Sequence, residues 1–438
     1  MGRKKSLTYD TSQPELVVYL YERRVGTIGQ TEDGNVWFKY DPTVVADSDP
    51  TACQLSVKLP LTTDTYGPEE TKAFFDNLLL ESDLRAEMAT ATKHESRDTT
   101  GLLGQIGGEC AGAVAIWPIG MQPPVEPEYT PIAVDALERL FVEAHGARLT
   151  QVQINARQTM SGVQQKLVLR KVNDQYALPI DGAPTTLLMK GTTGRYPGLA
   201  LNEHLCLRLF ASLGLPVNES RVIGGPDGLL QLTRFDRVVA ADGSIRRLHQ
   251  EDFCQATGRL PQRKYQMNNG PAFADVANVV RRHSVAAALD IQHLVRAAIA
   301  HVCLGNMDAH GKNYALLTTD AGKRLAPFYD IVCTEAYPWL DRELSMNIGS
   351  TRNPQRLTTG DLQRFAREVN VTPALVMREA RDVVQRLRAQ IPETTREVTR
   401  EVGAHPILLD MQEVFARRLS IVESIVTENG IAAEAAPE

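Results

Sequence analysis

Apolar and polar residues alternate along the first part of the chain in the way expected of strands. Residues 16–25 alternate up to a glycine and residues 36–40 form a second such run, so we predict a strand at each. Residues 69–80 instead place apolar side chains on one face, which predicts a helix. The segment 118–131 holds several prolines and neither period, which indicates a linker closing an N-terminal subdomain.

Short strand patterns dominate the chain after about residue 151. A helix predicted at 202–213 interrupts them, and the strand before it delivers Lys190 at its end. Beyond residue 251 the pattern is mainly helical to about residue 429, and the last residues look frayed. The strands predicted between these points are 166–170, 175–179, 185–189, 229–235 and 245–248.

Composition narrows the class of protein. With 438 residues, 43% hydrophobic and 23% charged, the chain has the make-up of a soluble globular protein. Its net charge of −6 argues against a surface built to neutralise nucleic-acid phosphates, so we expect any contact with DNA to come through a partner. The six cysteines form no C-x-x-C pair, which leaves zinc and disulfide frameworks unsupported.

No targeting or membrane segment is recognisable in the sequence. The basic residues near the N-terminus are not followed by an apolar stretch of the kind that signal peptides carry. The longest apolar run, 111–121, is too short to cross a bilayer. We therefore expect a cytoplasmic protein that makes no contact with membranes.

Asp308 and Asn313 stand in a D-x-x-x-x-N spacing within the most chemically suggestive stretch of the chain, residues 304–313. This spacing is typical of the catalytic loops of kinases, in which the aspartate orients the acceptor hydroxyl and the asparagine binds magnesium. Asp330 follows in a strand-like run at 325–331 and would be the second metal ligand. Taken alone, the pair is also compatible with an Asx turn that caps a helix.

Lys190 ends a predicted strand, where a phosphate-binding lysine belongs, and Glu203 at the start of the next helix could pair with it. The alternatives are a solvated lysine and a first-turn glutamate that favours the helix dipole. Residues 159–166 could cradle phosphates through backbone amides. Because the stretch has one glycine and no Walker lysine pattern, a plain loop is the alternative.

Together, these stretches make the chain from about residue 16 to residue 424 resemble the HipA family of bacterial serine/threonine kinase toxins. The stretches that carry the resemblance are 74–79, 108–114, 160–166, 202–203, 234–237, 248–252, 305–313 and 327–331. The resemblance implies an α+β, bilobal, protein-kinase-like fold, with a β-rich lobe, an extra N-terminal subdomain and an all-α C-terminal lobe.

The resemblance also assigns roles to residues. Asp308 would be the catalytic aspartate, and Asn313 and Asp330 would hold Mg²⁺. Self-phosphorylation in the nucleotide loop would fall on Thr159 or Ser161, and Thr159 stands where a serine is expected. The residues implied in ATP binding are Ser161, Gly162, Val163, Gln164, Gln165, Lys166, Lys190, Thr233, Arg234, Phe235, His310, Gly311, Lys312, Asn313, Tyr329 and Asp330.

The implied partners are a small helix-turn-helix antitoxin that is similar to HipB and a protein substrate, an aminoacyl-tRNA synthetase. Two alternatives of different classes stay open at this point. One is a corepressor that acts with the antitoxin on operator DNA, and the other is a kinase of small molecules, because antibiotic phosphotransferases share the D-x-x-x-x-N logic. The N-terminal subdomain counts against the small-molecule kinase.

The predicted organisation of the chain follows from these motifs. Its parts are an N-terminal tail at 1–15, the N-terminal subdomain at 16–130, a β-rich nucleotide-binding part at 131–250, a helical lobe with the catalytic loop at 251–429 and a frayed tail at 430–438.

Overall fold

The structure is a computed structural model that describes residues 14–47, 53–142, 147–191 and 194–434. The chain divides into two compact units. The first unit is Met1–Leu188 with Asp236–Pro261, and the second is Met189–Phe235 with Gln262–Glu438. The segment after residue 235 thus belongs with the N-terminal part of the chain. Most of the predicted N-terminal tail lies outside the described residues.

Strands occur mainly in the first two thirds of the chain, and the longest helices lie in the last third. The strands are β1 (Pro14–Leu20), β2 (Arg23–Gln30), β3 (Val36–Tyr40), β4 (Val114–Pro118), β5 (Tyr129–Ile132), β6 (Lys166–Val172), β7 (Gln175–Pro179), β8 (Leu187–Lys190), β9 (Ser220–Ile223), β10 (Leu229–Thr233), β11 (Arg237–Val239), β12 (Ile245–Arg247), β13 (Gln250–Asp252), β14 (Ala315–Thr319) and β15 (Gly322–Leu325). The α-helices are α1 (Pro42–Val45), α2 (Pro68–Phe75), α3 (Ser82–Thr92), α4 (Thr99–Ile106), α5 (Val134–Val142), α6 (Ala147–Asn155), α7 (Leu199–Ser212), α8 (Phe253–Thr257), α9 (Phe273–His283), α10 (Ala287–Cys303), α11 (Thr359–Glu368), α12 (Pro373–Val402) and α13 (Ile407–Glu434).

The first unit begins with an antiparallel sheet in the order β3-β2-β1-β4. Tyr21 and Glu22 join β1 to β2 with φ of 51° and 68°, the two positive values that a two-residue hairpin turn of type I′ requires. The single strand predicted at 16–25 is therefore wrong, because the chain reverses in its middle. Tyr-Glu lacks the Asn-Gly signal of such turns, so the residue pattern did not reveal the reversal.

The predicted helix at 69–80 is shorter in the structure. The α-helix α2 stops at Phe75, and a 3₁₀ turn continues to Leu78. Asn77 explains the change, because its buried side-chain Nδ2 donates to Ala73 O and to Arg259 O, each at 2.8 Å. A side chain that competes for helix carbonyls favours the end of a helix. Phe74 and Phe75, which precede the turn, pack into the hydrophobic core beneath the sheet.

The predicted proline-rich linker ends in a strand. Residues 129–132 form β5, which pairs antiparallel with β7, so the prediction of no strand up to Pro131 is wrong at this end. Proline lacks an N–H and is tolerated where a strand lies at the edge of a sheet, as β5 does. The hairpin predicted at 166–179 is confirmed as β6 and β7, with Asn173 and Asp174 at positive φ in the turn.

Two of the stretches that carry the family resemblance meet in a buried charge network of the first unit. Glu109 is fully buried, and its Oε1 accepts from Arg237 Nη2 at 2.9 Å and from Thr185 Oγ1 at 2.8 Å. Arg247 Nη2 lies 2.7 Å from Glu109 Oε2. A buried carboxylate needs such partners, because its desolvation is otherwise very unfavourable. These residues therefore join β11 and β12 to the N-terminal part of the unit.

The second unit is built around α12, which packs against α7, α10, α11 and α13. The helix predicted at 202–213 is α7, and Lys190 ends a strand as predicted. The mainly helical pattern predicted beyond residue 251 omits the hairpin of β14 and β15, whose polar ends hide the strand pattern. The frayed tail expected from residue 430 is helical up to Glu434, and residues 435–438 lie outside the described residues.

Within the described part of the chain, no helix is both long enough and apolar enough to cross a membrane.

Candidate active site

The loop predicted to be catalytic begins where α10 ends, at Cys303. Gly305 follows with φ of 65°, and a Cβ at this position would come within 2.5 Å of Val414 Cγ1. The conformation and the close approach both require glycine. The apolar helix predicted from the sequence is therefore present, and a tight glycine turn directs the chain from it into the loop.

Asn306 ties the loop back to α10. Its Oδ1 accepts from the backbone N–H of Asp308 at 3.0 Å, and its Nδ2 lies 3.0 Å from Nδ1 of the buried His301. Burial lowers the pKa of His301 to about 3, so the ring is neutral and its Nδ1 can accept. The backbone of Asp308 is thus fixed by a hydrogen-bonded chain that starts in the helical core.

The Asp308 side chain has its own partner, which sequence reasoning missed. Tyr265 donates its hydroxyl to Asp308 Oδ1 at 2.9 Å. Nothing in the local sequence around Tyr265 distinguishes it from other surface tyrosines. Asn306 and His301 could have been suspected from their position in or just before the motif, although their spacing alone assigns them no role.

Lys190 lies between two carboxylates in the second unit. Its Nζ is 2.8 Å from Glu203 Oε1, 2.9 Å from Glu203 Oε2 and 2.5 Å from Asp330 Oδ1. Burial by itself would lower the pKa of Lys190, but the Asp330 and Glu203 carboxylates together raise it well above its usual value. The lysine therefore stays charged although it is buried, and the pairing expected with Glu203 is present.

Asn313 and Asp330 also come together, although they lie on different segments. Asn313 Nδ2 donates to Asp330 Oδ2 at 3.0 Å. The strand expected at 325–331 is wrong for most of its length, because β15 ends at Leu325 and Asp330 has a left-handed φ of 57°. Aspartate is one of the few side chains that tolerate this conformation, and here it turns the carboxylate toward Lys190 and Asn313.

The oxygen of the Asn313 amide provides a test for a metal site. Asn313 Oδ1 is buried, and among the described residues it has no hydrogen-bond partner. A buried unsatisfied oxygen is unfavourable unless a ligand completes it. Amide and carboxylate oxygens are ligands that Mg²⁺ accepts, so Asn313 and Asp330 fit a magnesium ion.

Several other residues expected around the nucleotide belong to the second unit and lie beside Asn313 and Asp330. Tyr329 donates its hydroxyl to Lys312 O at 2.7 Å, and its ring lies 5.6 Å from that of Phe235. The His310 ring contacts the Tyr265 ring edge-on at 5.1 Å, and Gly311 N donates to Lys264 O at 3.1 Å. The structure therefore groups Phe235 with the loop at 310–313 and with Tyr329.

The family resemblance implies that residues 233–235 would contact adenine through backbone groups, and Thr233 and Arg234 are the first two of these residues. Arg234 is buried, and Thr233 is the last residue of β10. The N–H of Thr233 already donates to Glu219 O at 2.9 Å. Recognition of adenine through that N–H would require this bond to open.

The expected phosphate loop belongs to the first unit. Lys166 Nζ donates to Ser161 O at 2.7 Å and closes the loop on itself, and Gly162 has a φ of 116° that favours glycine. Val163 at its tip is exposed, and Gln164 and Gln165 are half-buried. Residues 161–166 thus form an ordered turn that leads directly into β6.

The two hydroxyls considered for self-phosphorylation differ in their surroundings. Thr159 is buried, and its Oγ1 donates to Leu78 O at 2.9 Å. Ser161 is half-buried and lies two residues further along, in the turn. In this conformation Ser161 is the more accessible of the two acceptors.

Comparison with known proteins gives matches along most of the chain. Residues 158–394 match the family model of the HipA-like C-terminal domain, and residues 16–117 match that of the HipA N-terminal domain. The putative kinase Y4mE of Sinorhizobium fredii is 35% identical over 371 residues, which cover 83% of this chain and 87% of that protein. The serine/threonine-protein kinase toxin HipA of Shewanella oneidensis is 27% identical over 375 residues, 81% of each chain.

A solved structure supports the same fold. It is described as the Shewanella oneidensis MR-1 toxin–antitoxin system of HipA, HipB and its operator DNA. A chain of that structure superposes on this one with a TM-score of 0.78 and 22% sequence identity, covering 94% of this chain and 98% of that chain. The likeness confirms the α+β fold class that was predicted from the sequence.

Proposed function

The chain belongs to the HipA family of kinases, and from this premise we propose that it transfers the γ-phosphoryl group of ATP, with Mg²⁺, to a serine or threonine hydroxyl of a protein. The observation that carries the proposal is the convergence of Lys190, Asn313 and Asp330 in one unit, with the buried Asn313 Oδ1 lacking a hydrogen-bond partner among the described residues. This arrangement provides a cation for phosphate beside oxygen ligands for a metal.

Each side chain of the site would have its own role in phosphoryl transfer. Lys190, held by Glu203, would contact the phosphates with its charged Nζ. Asn313 and Asp330 would hold Mg²⁺, which supplies neutralisation of phosphate charge when bound. Asp308 would orient the acceptor hydroxyl and accept its proton. As the oxygen of that hydroxyl bonds to the γ-phosphorus, the bond from this phosphorus to the bridging oxygen of ADP would break.

The direct test is phosphate transfer from labelled ATP to the chain itself and to a generic protein acceptor. We expect Asp308→Asn to reduce incorporation by at least about a hundredfold, because general-base and positioning contributions are of that order. Asp410→Asn, at an exposed position on α13, is the matched control and should retain activity. Equal incorporation by wild type and Asp308→Asn, with unchanged melting temperatures, would exclude this assignment.

We also propose that the chain phosphorylates itself in the 159–166 loop, and that Ser161 is the acceptor. The burial of Thr159 and its bond to Leu78 O support Ser161 in the conformation described. Phosphate adds close to two negative charges, which beside ATP phosphates would repel the nucleotide. Mass spectrometry of Ser161→Ala and Thr159→Val after incubation with ATP tests this: phosphate should disappear only in Ser161→Ala, and its loss only in Thr159→Val would reverse the assignment.

A HipB-like DNA-binding antitoxin is the partner we propose. Support comes from the solved structure described as HipA with HipB and operator DNA, to which this chain is similar in fold. The net charge of −6 fits contact with DNA through that partner rather than directly. Co-expression with a helix-turn-helix protein encoded beside this chain, followed by size-exclusion chromatography and gel shift, should give a stable complex that binds DNA more tightly than the small protein alone.

For the protein acceptor we propose a component of translation, an aminoacyl-tRNA synthetase. This proposal rests on the family resemblance and not on the geometry of the site. A panel of purified synthetases incubated with labelled ATP and the wild-type chain tests this choice. One synthetase should be labelled well above the others, and labelling should be absent with Asp308→Asn. Uniform background labelling would point instead to another acceptor or to the corepressor role.

A further inference from the structure

Tyr265 is placed against the side chain of the aspartate to which the proposed function assigns proton transfer. Its hydroxyl donates to Asp308 Oδ1 at 2.9 Å. A phenol donating to an ionised carboxylate forms a charge-assisted hydrogen bond, which is among the stronger kinds in proteins. Because the bond uses one of the two carboxylate oxygens, it restricts rotation of the carboxylate about its last side-chain torsion.

The tyrosine itself is held from several sides within the second unit. The His310 ring meets its ring edge-on at 5.1 Å, and Lys264 Nζ lies 5.5 Å from its ring centroid. Its backbone carbonyl accepts from Asn268 N and Gly270 N, both at 2.9 Å. A side chain that is packed and bonded in this way can hold its partner in one orientation.

The next residue extends this support. Gln266 N donates to Ser345 O at 3.1 Å, and Ser345 Oγ donates to Met307 O at 2.6 Å, one residue before Asp308. The segment that carries Tyr265 is therefore tied to the catalytic loop by backbone contacts as well as by the phenol. Asp308 is fixed at its N–H by Asn306 and at Oδ1 by Tyr265.

We propose that Tyr265 is a positioning residue for phosphoryl transfer, which holds Asp308 Oδ1 and leaves Oδ2 to receive the acceptor hydroxyl. This inference rests on the proposed function, since it assumes that Asp308 receives the proton of the acceptor. A carboxylate whose second oxygen is aimed in advance needs no reorientation when the acceptor arrives. Such preorganisation lowers the barrier without changing how tightly the nucleotide binds.

The test is Tyr265→Phe, which removes only the hydroxyl. We expect kcat to fall by about tenfold or more, the size of effect of one hydrogen bond to a charged group. The KM for ATP and the dissociation constant for ATP, measured by fluorescence, should stay within about twofold. Tyr337→Phe is the matched control, because its hydroxyl donates to Pro197 O at 3.2 Å and makes no bond to Asp308 in the described structure.

A double-mutant cycle separates positioning from a general structural role. If Tyr265 acts through Asp308, adding Tyr265→Phe to Asp308→Asn should lower the residual rate by less than about twofold. A further tenfold loss in the double variant would overturn the inference, as would an unchanged kcat in Tyr265→Phe alone. Phosphotyrosine at position 265 in the wild-type chain would also overturn it, because Tyr265 would then be an acceptor.

The cycle also distinguishes failure of the inference from failure of the proposed function. Full activity in Tyr265→Phe with an inactive Asp308→Asn rejects the role of Tyr265 and leaves Asp308 in place. Full activity in Asp308→Asn rejects both. If Tyr265→Phe lowers the melting temperature, the rate is measured well below the unfolding transition. The comparison that decides is then between Asp308→Asn and the double variant Asp308→Asn with Tyr265→Phe.

Discussion

Asn313 Nδ2 donates to Asp330 Oδ2 across 3.0 Å, and this contact leaves Asn313 Oδ1 buried with no hydrogen-bond partner among the described residues. The amide nitrogen is thus bonded within the protein, and we propose that the amide oxygen binds the metal ion. A side chain that only stabilised the loop would be expected to satisfy both of its polar atoms.

We therefore expect Asn313→Ala to raise the concentration of Mg²⁺ that gives half-maximal activity by about tenfold or more, because one oxygen ligand is lost. The measurement is the rate of phosphate transfer at fixed ATP over a range of Mg²⁺ concentrations. Asn278→Ala, at an exposed helical position on α9, serves as the control. An unchanged Mg²⁺ requirement in Asn313→Ala would show that Oδ1 is not a ligand.

Lys190 offers a way to separate stability from catalysis. In Lys190→Met the buried Glu203 loses its partner, so we expect a loss of roughly 3 to 5 kcal/mol in the free energy of unfolding together with loss of activity. The double variant Lys190→Met with Glu203→Gln should recover much of the stability, because no buried charge is left unpaired. It should stay inactive, and recovery of activity in the double variant would exclude a phosphate-binding role for Lys190.

Two buried histidines should make the protein sensitive to mild acid. Burial lowers the pKa of His301 to about 3 and that of His204 to about 4, from an ordinary value of 6.5. Between pH 6.5 and about 4 the unfolded chain binds protons that the folded chain does not, so the stability falls as the pH is lowered. Each histidine contributes a slope of about 1.4 kcal/mol per pH unit.

Denaturant unfolding at pH 7.5, 6.5 and 5.5 measures this slope. His204→Gln should reduce the slope and keep the fold, since the glutamine can still bond to Ser220 Oγ, which lies 2.8 Å from His204 Nδ1. A stability that does not change between pH 6.5 and 5.5 would contradict the expectation.

Tyr314 carries a hydroxyl that should be dispensable. The residue is buried, and its OH has no hydrogen-bond partner among the described residues. Burial raises the pKa of this phenol well above its usual value, which keeps it neutral. Tyr314→Phe should leave stability unchanged or raise it by about 1 kcal/mol, because an unsatisfied hydroxyl is removed. A loss of more than about 1 kcal/mol in thermal or denaturant unfolding would contradict this expectation and show that the hydroxyl makes a hydrogen bond.

A buried ion pair supports, from α13, the start of the loop that we propose to be catalytic. Arg418 is fully buried, with its Nε donating to Glu335 Oε2 at 2.6 Å, and Glu335 N donates to Gly305 O at 3.1 Å. Glu335→Gln should lower the free energy of unfolding by about 3 to 5 kcal/mol, because the arginine charge loses its partner. Denaturant unfolding measures this, and adding Arg418→Met to Glu335→Gln should restore part of the loss.

The sequence predicted the chemical groups of the site better than their local structure. Lys190, Asp308, Asn313 and Asp330 were all predicted from residue type, spacing and family resemblance, and the structure brings Lys190, Asn313 and Asp330 into contact. The strand expected to carry Asp330 is absent, because a single left-handed residue replaces it. A positive φ at a single residue leaves almost no trace in the pattern of hydrophobic residues.

The contacts that hold Asp308 could not be predicted for a different reason. Tyr265 lies 43 positions before Asp308, and no short-range rule links a tyrosine to a distant carboxylate. The β1–β2 hairpin was missed because Tyr21 and Glu22 take positive φ without glycine or asparagine, which only the surrounding sheet enforces. By contrast, the hairpin with Asn173 and Asp174 used residues that favour its turn and was predicted correctly.

The 2.5 Å contact between Lys190 and Asp330 has a consequence for how ligands load. When Asp330 holds a metal ion and Lys190 holds the phosphates, as we propose, the protein's own ammonium competes with the metal ion for that carboxylate, and the carboxylate competes with the phosphates for the ammonium. Whichever ligand arrives first releases the group that the other needs, and thermodynamic reciprocity requires each to strengthen the other by the same factor. Nucleotide and magnesium should therefore bind with positive cooperativity, and either one alone should bind weakly.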